Sequence, residues 1–268
     1  MKTRQEMKAR AREALREQRG TAILLLIAVS AVTLISAIID EIVLRAFGDV
    51  AYWVVYWIGM LIIYVATVNM AGEYIKIYEG EGAGAGAVFS GFGVNFLRKL
   101  GGMAWMTLWL AIWGMAAVFF YTFTITILAF DGEWGLLALI SVGGLTVFIP
   151  AIVKLLEYHL TPYILASCPD VGARAALRLS SRMMQKYRGT LLMLMLSFIG
   201  WGLLSVFTFF ILAIVFVLPY FYIASAGFFV ELRNLAIEDG TVTREELGME
   251  TKREDDRGYG FGSGVFEG

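Results

Sequence analysis

The sequence predicts an all-α fold: a polytopic membrane helical bundle of about six transmembrane helices, accompanied by amphipathic interfacial helices. Hydrophobic residues make up 59% of the chain and charged residues 17%, with a mean hydropathy of +0.71, whereas about a quarter of an ordinary soluble domain is charged. Residues 21–39 form an uncharged apolar run, about the length a helix needs to cross ~30 Å of hydrocarbon. Similar runs recur along the chain, and no water-soluble core would hide so much apolar surface.

The membrane domain is expected to cover residues 21–233. Its spans are predicted near 21–39, 51–71, 103–130, 135–156, 190–206 and 210–231. Amphipathic aromatic rings favour the membrane interface, and they mark the start of the second span as Tyr52, Trp53, Tyr56 and Trp57. Residues 190–230 carry no formal charge over about twice the length of one span, so we expect two helices there with a break near 205–210.

Two prolines lie inside predicted spans, Pro150 in the fourth and Pro219 in the last. Proline lacks a backbone donor, so each should kink its helix. Between the second and third spans, glycine recurs at positions 80, 82, 84, 86, 91 and 93, which predicts a flexible surface loop. A phosphate-cradling loop is disfavoured because the pattern fits neither GxxxxGK[ST] nor a strand-to-helix GxGxxG.

Polar segments flank the membrane domain. Residues 1–20 predict a charged, mostly solvated cytoplasmic helix with a weak apolar flank. The charged segment before the first span is longer than the n-region of a secretory signal peptide, so we expect that the first span is not cleaved off. Residues 234–268 predict a polar, disordered cytoplasmic tail, within which the Thr243 hydroxyl could cap a short helix by pairing with the Glu246 amide.

Basic residues are unevenly distributed between the loops. Seven Lys or Arg precede the first span, Arg98 and Lys99 follow the second, and five lie between the fourth and fifth. The opposite loops hold Arg45 against five acidic residues: Asp40, Glu41, Asp49, Asp131 and Glu133. The positive-inside rule therefore predicts a plasma-membrane protein with both termini in the cytoplasm.

Residues 170–188 predict a strongly amphipathic helix. Its basic side chains, Arg174, Arg178, Arg182 and Lys186, collect on one side and its apolar residues on the other. A helix lying in the interface with its basic side toward headgroups has this pattern, which makes these four residues candidate contacts for anionic lipid. A helix packed on the inner mouth of the bundle fits the pattern equally well.

A second candidate cluster, at the inner mouth of the bundle, consists of Lys154, Glu157 and His159. Lys154 and Glu157 are three residues apart and can form an ion pair, while His159 points roughly 160° away from Glu157. This geometry argues against a shared metal or an acid–base pair, and one histidine is too few for a zinc site. Interfacial anchoring is favoured over a proton or substrate role.

The sequence offers no other sign of bound metal, cofactor or catalytic residues. Its single cysteine, Cys168, excludes an internal disulfide and every multi-cysteine metal motif. Asn69, inside the second span, is expected to hydrogen-bond between helices.

An ordered succession of blocks resembles a known family. KARAREAL precedes the first span and FSGF the third; YHLTPYILASCPD, ALRLSSRMM, LSFIGW and LPYFYIASAGFFVELR follow in order. These blocks resemble the bacterial integral membrane family DUF975 over most of residues 1–234. The resemblance implies the helical membrane fold and no particular activity.

The chain also departs from the family pattern, which weakens transfer of any loop-specific role. Ala151 follows Pro150 where the family often has glycine, Ser167 and Cys168 replace an acidic-polar pair, and Lys186 takes a usual glycine position. The glycine-containing turn between the last two spans is also absent.

Three function classes follow from these observations. A non-enzymatic membrane scaffold or accessory protein is favoured, because the spans contain almost none of the buried charge that ion-coupled carriers need. A transporter of an amphipathic or lipid-like solute is the alternative, supported by the two prolines. An intramembrane enzyme comes third, since no catalytic constellation is visible. The expected partners are membrane lipids, including anionic headgroups on the cytoplasmic side; a protein partner or homo-oligomer is open, and nucleic acid is not expected.

Overall fold

The computed structural model describes residues 4–93, 95–130 and 145–249, and all regular structure in these ranges is helical. The helices are α1 (Arg4–Glu17), α2 (Arg19–Phe47), α3 (Asp49–Glu79), α4 (Ala87–Ser90), α5 (Phe96–Phe130), α6 (Ile149–Tyr158), α7 (Thr161–Ser167), α8 (Ala173–Met184), α9 (Arg188–Phe207) and α10 (Leu218–Glu238). A 3-10 turn (Leu145–Phe148) precedes α6, and a π turn (Ala213–Val217) precedes α10. The all-α prediction is confirmed over the described ranges.

Within those ranges, five helical stretches are long and apolar enough to cross a membrane. They are Arg19–Phe47, Asp49–Glu79, Phe96–Phe123, Arg188–Phe207 and Ala213–Glu238. They correspond to the first, second, third, fifth and sixth predicted spans. The first part of the expected fourth span, residues 135–144, lies outside the described part of the chain. The 3-10 turn and α6 represent the rest of it.

The packed core lies toward one end of the bundle. It joins the second half of α3 to α1, α7, α8 and α10. Large apolar side chains elsewhere on the long helices stay exposed; Leu34 is 63% exposed and Phe119 62%. Hydrocarbon, unlike water, solvates such side chains at no cost, so this exposed belt fits a bilayer.

α1 is docked onto the bundle. Four residues on one side of it are buried: Met7, Ala11, Ala14 and Leu15. The Tyr220 hydroxyl donates to the carbonyl of Lys8 at 3.1 Å, and Arg10 Nε donates to the carbonyl of Tyr78 at 3.3 Å. Most other described side chains of α1 are exposed, as predicted for a mostly solvated helix, and its narrow apolar flank packs against α3 and α10.

Small residues allow the helices to approach one another closely. A Cβ on Gly227 of α10 would overlap the ring of Tyr78 in α3, and one on Gly102 of α5 would lie 2.6 Å from Leu165 in α7. Because these two glycines have no Cβ, the Tyr78 ring and the Leu165 side chain occupy the space that a methyl group would fill.

Both prolines predicted to kink spans lie in the first turn of a helix. Pro150 lies in the first turn of α6, directly after the 3-10 turn, where its missing N–H would have no intrahelical partner. Pro219 lies in the first turn of α10, directly after the π turn, so irregular helical hydrogen bonding accompanies it.

The last two spans are separated at residues 208–212, overlapping the expected break at 205–210. Phe209 and Phe210 adopt φ values of +48° and +63° there. Glycine takes this conformation without penalty. The two phenylalanines therefore form a strained turn that glycine would form more easily.

Candidate functional site

α8 packs through its apolar side and exposes its basic side. Its buried residues are Ala176, Leu177, Leu179, Ser180, Met183 and Met184. The Ser180 hydroxyl donates to the carbonyl of Glu157 at 2.6 Å, which ties α8 to α6. Protein covers the apolar side, so the structure has the arrangement predicted as the alternative, a helix packed on the bundle with its basic residues facing outward.

The four exposed basic residues of this region divide into two pairs. Arg182 donates to Glu246 Oε1 at 2.7 Å and to the carbonyl of Thr241 at 2.6 Å, and Lys186 Nζ lies 3.8 Å from Asp239 Oδ2. Arg174 and Arg178, by contrast, have no carboxylate within 4 Å among the described residues.

The unpaired arginines line one cavity, which we call the Arg–Trp cavity. Its volume is about 440 Å³, and it is lined by Trp105, Trp109, Tyr158, Arg174, Leu177, Arg178 and Ser181. The Arg174 guanidinium carbon lies 4.7 Å from the centroid of the Trp105 ring, a cation–π contact. Guanidinium groups bind phosphate oxygens bidentately, and indole rings settle at the membrane interface. The cavity therefore combines the two chemistries that a phospholipid headgroup requires.

Residues 239–249 fold back over the other pair. Val242 and Leu247 are buried, the Thr243 amide donates to Glu246 Oε2 at 3.0 Å, and the Glu246 amide donates to Thr243 Oγ1 at 3.1 Å. This confirms the predicted capping interaction, here around a turn. The bond from Arg182 holds the pKa of Glu246 below its ordinary value.

The expectation of a disordered tail is therefore wrong for residues 234–249. Residues 234–238 belong to α10, and the rest of this segment packs through its two apolar side chains and its paired carboxylates. The remainder of the predicted tail, residues 250–268, lies outside the described residues.

The predicted Lys154–Glu157 ion pair is present, with Nζ 2.7 Å from Oε2. Arg188 pairs with the same carboxylate, and Ser181 Oγ donates to it at 3.0 Å. The Glu157 side chain is only 3% exposed, so it does not reach water as an interfacial anchor would. Burial alone would raise the pKa of Glu157, but the bonds from Lys154 and Ser181 and the charge of Arg188 hold it below its ordinary value.

His159 faces a different environment, as the sequence predicted. It lines an apolar cavity of about 190 Å³ between α3, α5 and α7, and its ring centroid lies 6.0 Å from that of Tyr163 and 6.5 Å from that of Phe221. Its Nε2 is buried and has no hydrogen-bond partner among the described residues. The described residues also contain no cluster of three His, Cys, Asp or Glu able to hold a metal.

A third cavity was not predicted from the sequence. Its volume is about 410 Å³ and its polar lining residues are Asn69, Glu73, Lys76, Ser90, Lys99 and Ser167; we call it the Lys99 cavity. Lys99 Nζ donates to Asn69 Oδ1 at 2.7 Å and to the carbonyl of Gly91 at 2.9 Å, and Asn69 Nδ2 donates to the carbonyl of Val88 at 2.9 Å. Asn69 thus joins α3 to the glycine-rich segment and α5. An amide inside an apolar span was the signal for this site.

The glycine-rich segment is held in place where a flexible loop was expected. Gln18 Nε2 donates to the carbonyl of Glu81 at 2.7 Å, and the Gly84 amide donates to Glu73 Oε2 at 2.9 Å. Val88 is fully buried. The segment therefore forms a fixed wall of the Lys99 cavity.

Comparison with known proteins gives one match. A family model described as "Protein of unknown function (DUF975)" matches residues 1–236, from the amino terminus almost to the end of α10. No curated protein and no solved structure matches the chain.

Proposed function

This chain belongs to the DUF975 family, whose function is unknown, and we propose that it is a non-enzymatic, multi-pass membrane scaffold or accessory protein that holds an anionic lipid headgroup in the Arg–Trp cavity. The helices that could cross a membrane make it a membrane protein. The headgroup site is the specific part of the proposal.

The observation that carries this proposal is the difference between the two basic pairs of the α8 region. Arg182 and Lys186 already have carboxylate partners from residues 239–249. Arg174 and Arg178 are exposed beside Trp105 and have no such partner among the described residues. Basic residues near an anionic membrane surface each contribute about 1 kcal/mol of attraction. Arg174 and Arg178 are therefore the two residues of the α8 region that are available to a headgroup.

The proposed orientation in the plasma membrane places both termini and the Arg–Trp cavity in the cytoplasm. The loop charge bias supports it. Cysteines introduced at Asp49 and at Glu133 should then react with a membrane-impermeant reagent in intact cells. The native Cys168 is buried and should give little background. Labelling of either site only after permeabilisation would contradict this topology.

The headgroup proposal is tested with the full-length protein in nanodiscs of phosphatidylcholine, with and without phosphatidylglycerol. The measured quantity is the increase in the free energy of unfolding that phosphatidylglycerol produces. R174Q/R178Q should lower this increase by about 2 kcal/mol, from ~1 kcal/mol per basic residue. The matched control R182Q/K186Q removes the same formal charge from the paired residues and should retain most of the increase. An equal loss in both double variants, or no lipid preference in the wild type, would contradict the proposal.

The alternative function, transport of an amphipathic or lipid-like solute, is supported by the apolar cavity beside His159. A carrier needs such a space between its helices. Uptake by proteoliposomes, measured with a panel of amphipathic solutes under a pH gradient, tests this alternative. Saturable uptake that H159Q abolishes would favour the carrier over the scaffold.

A further inference from the structure

Lys99 is buried at the start of α5, with only 8% of its surface exposed. Its two hydrogen-bond acceptors, Asn69 Oδ1 and the carbonyl of Gly91, are both neutral. No carboxylate of the described residues lies within 4 Å of it. A buried charge is costly unless it is paired, and the described residues supply no counter-ion for this ammonium group. We propose that the Lys99 cavity binds an oxyanion of the phosphate class.

The surrounding residues fix Lys99 in one position. Asn69 donates its amide N–H to Val88, which directs its oxygen toward Lys99. Gly91 is packed so tightly that an added Cβ would lie 2.6 Å from the Asn69 side chain. An ammonium group has three N–H donors. Two of them donate to Asn69 and Gly91, and no other described residue takes the third, which leaves it for a ligand in the cavity that Lys99 lines.

The acidic residue of this cavity does not neutralise Lys99. Glu73 Oε1 accepts a hydrogen bond from Lys76 at 2.7 Å, and Glu73 Oε2 accepts one from the Gly84 amide at 2.9 Å. Both of its oxygens are thus occupied within the protein. Two lysines against one glutamate leave the lining with one net positive charge, which an anion would balance.

The cavity can accommodate such a group. Its volume of about 410 Å³ lies within the range of small-molecule sites, ~300–1,000 Å³. Ser90 and Ser167 add hydroxyl groups to the lining, and lysine binds phosphate as a point charge. The phosphate group could belong to a free anion or to a lipid headgroup. This site shares no lining residue with the Arg–Trp cavity, so it does not depend on the proposed function.

The test uses full-length, delipidated protein in an uncharged detergent at constant ionic strength. Inorganic phosphate, dihexanoyl phosphatidic acid and dihexanoyl phosphatidylcholine are titrated separately, while the thermal midpoint and the heat of binding are followed. A ligand that binds only the folded protein raises the midpoint in a saturable way. K99M should bind the phosphate probe about ten- to a hundredfold more weakly, the range for loss of a charged hydrogen bond.

Two further variants separate binding from folding. K8M removes another lysine that donates to a serine, Ser197, outside the cavity, and it should keep the wild-type response. G91A leaves Lys99 in place but displaces Asn69, and it should weaken phosphate binding even if K99M fails to fold.

Each pattern of responses has a defined meaning. Saturation by inorganic phosphate identifies a free anion, and saturation by phosphatidic acid alone identifies a headgroup; both support the site. Absence of any response in the wild type, or an unchanged response in both K99M and G91A, would overturn the proposal. Lys99 would then have only a structural role, hydrogen-bonding to the glycine-rich segment.

Discussion

Replacement of Glu157 by glutamine should destabilise the protein, because this carboxylate holds two cations together. In the E157Q variant, Lys154 and Arg188 would lie beside a neutral amide. Breaking a fully buried ion pair costs about 3–5 kcal/mol. Here the Lys154 and Arg188 side chains are 29% and 35% exposed, so solvent screens part of their repulsion. We expect a loss of about 1–3 kcal/mol in the free energy of unfolding.

The assay is reversible unfolding of the full-length protein by SDS in mixed micelles, followed by tryptophan fluorescence. The matched control is E41Q, which removes the carboxylate of the exposed Arg45–Glu41 pair and should cost less than about 0.5 kcal/mol. If E157Q is no more destabilising than E41Q, the three-residue cluster does not stabilise the fold and this reasoning is refuted.

The pH dependence has a definite sign. Because the pKa of Glu157 is lowered in the folded protein, its contribution is fully present above the unfolded value, about 4.3. It is lost as pH falls through the lower, folded pKa. Thermal midpoints measured on both sides of pH 4 should therefore fall more steeply in the wild type than in E157Q.

Three further substitutions, with G202A as a control for the first, test the packing. G227A should cost about 1–3 kcal/mol, because its new methyl group would overlap the Tyr78 ring, whereas G202A, with open space around it, should cost little. H159F should leave the free energy of unfolding unchanged or raise it, because it removes a buried nitrogen without a partner among the described residues. F210G should raise the thermal midpoint by relieving a left-handed conformation that costs about 1–2 kcal/mol. Thermal unfolding in one detergent measures all three.

The five described helices of membrane-spanning length could be predicted because length and apolarity are local properties of the sequence. The same holds for the Lys154–Glu157 pair, which helical spacing brings together. Arg188 forms an ion pair with that carboxylate from a different helix, and no local sequence pattern predicts such a tertiary contact. The burial of Glu157 could not be predicted for the same reason, because neighbouring helices, and not its position along the chain, determine it.

The candidate lipid site was only half predicted. Four-residue spacing identified the basic side of α8 but did not show that residues 239–249 would engage Arg182 and Lys186. That segment looked disordered because it contains few apolar residues, yet Val242 and Leu247 are buried and its carboxylates pair with Arg182 and Lys186. Similarly, the docking of α1 through its weak apolar flank was not predicted, because alanine contributes little to amphipathicity, although its small size permits close packing.

The central claim, that Arg174 and Arg178 hold an anionic headgroup, is tested most directly by an experimental structure of the full-length protein in phosphatidylglycerol nanodiscs. The account predicts a lipid phosphate within hydrogen-bonding distance of both guanidinium groups in the Arg–Trp cavity, and its loss in R174Q/R178Q. An empty Arg–Trp cavity in a structure that resolves ordered lipid elsewhere on the bundle would contradict the claim.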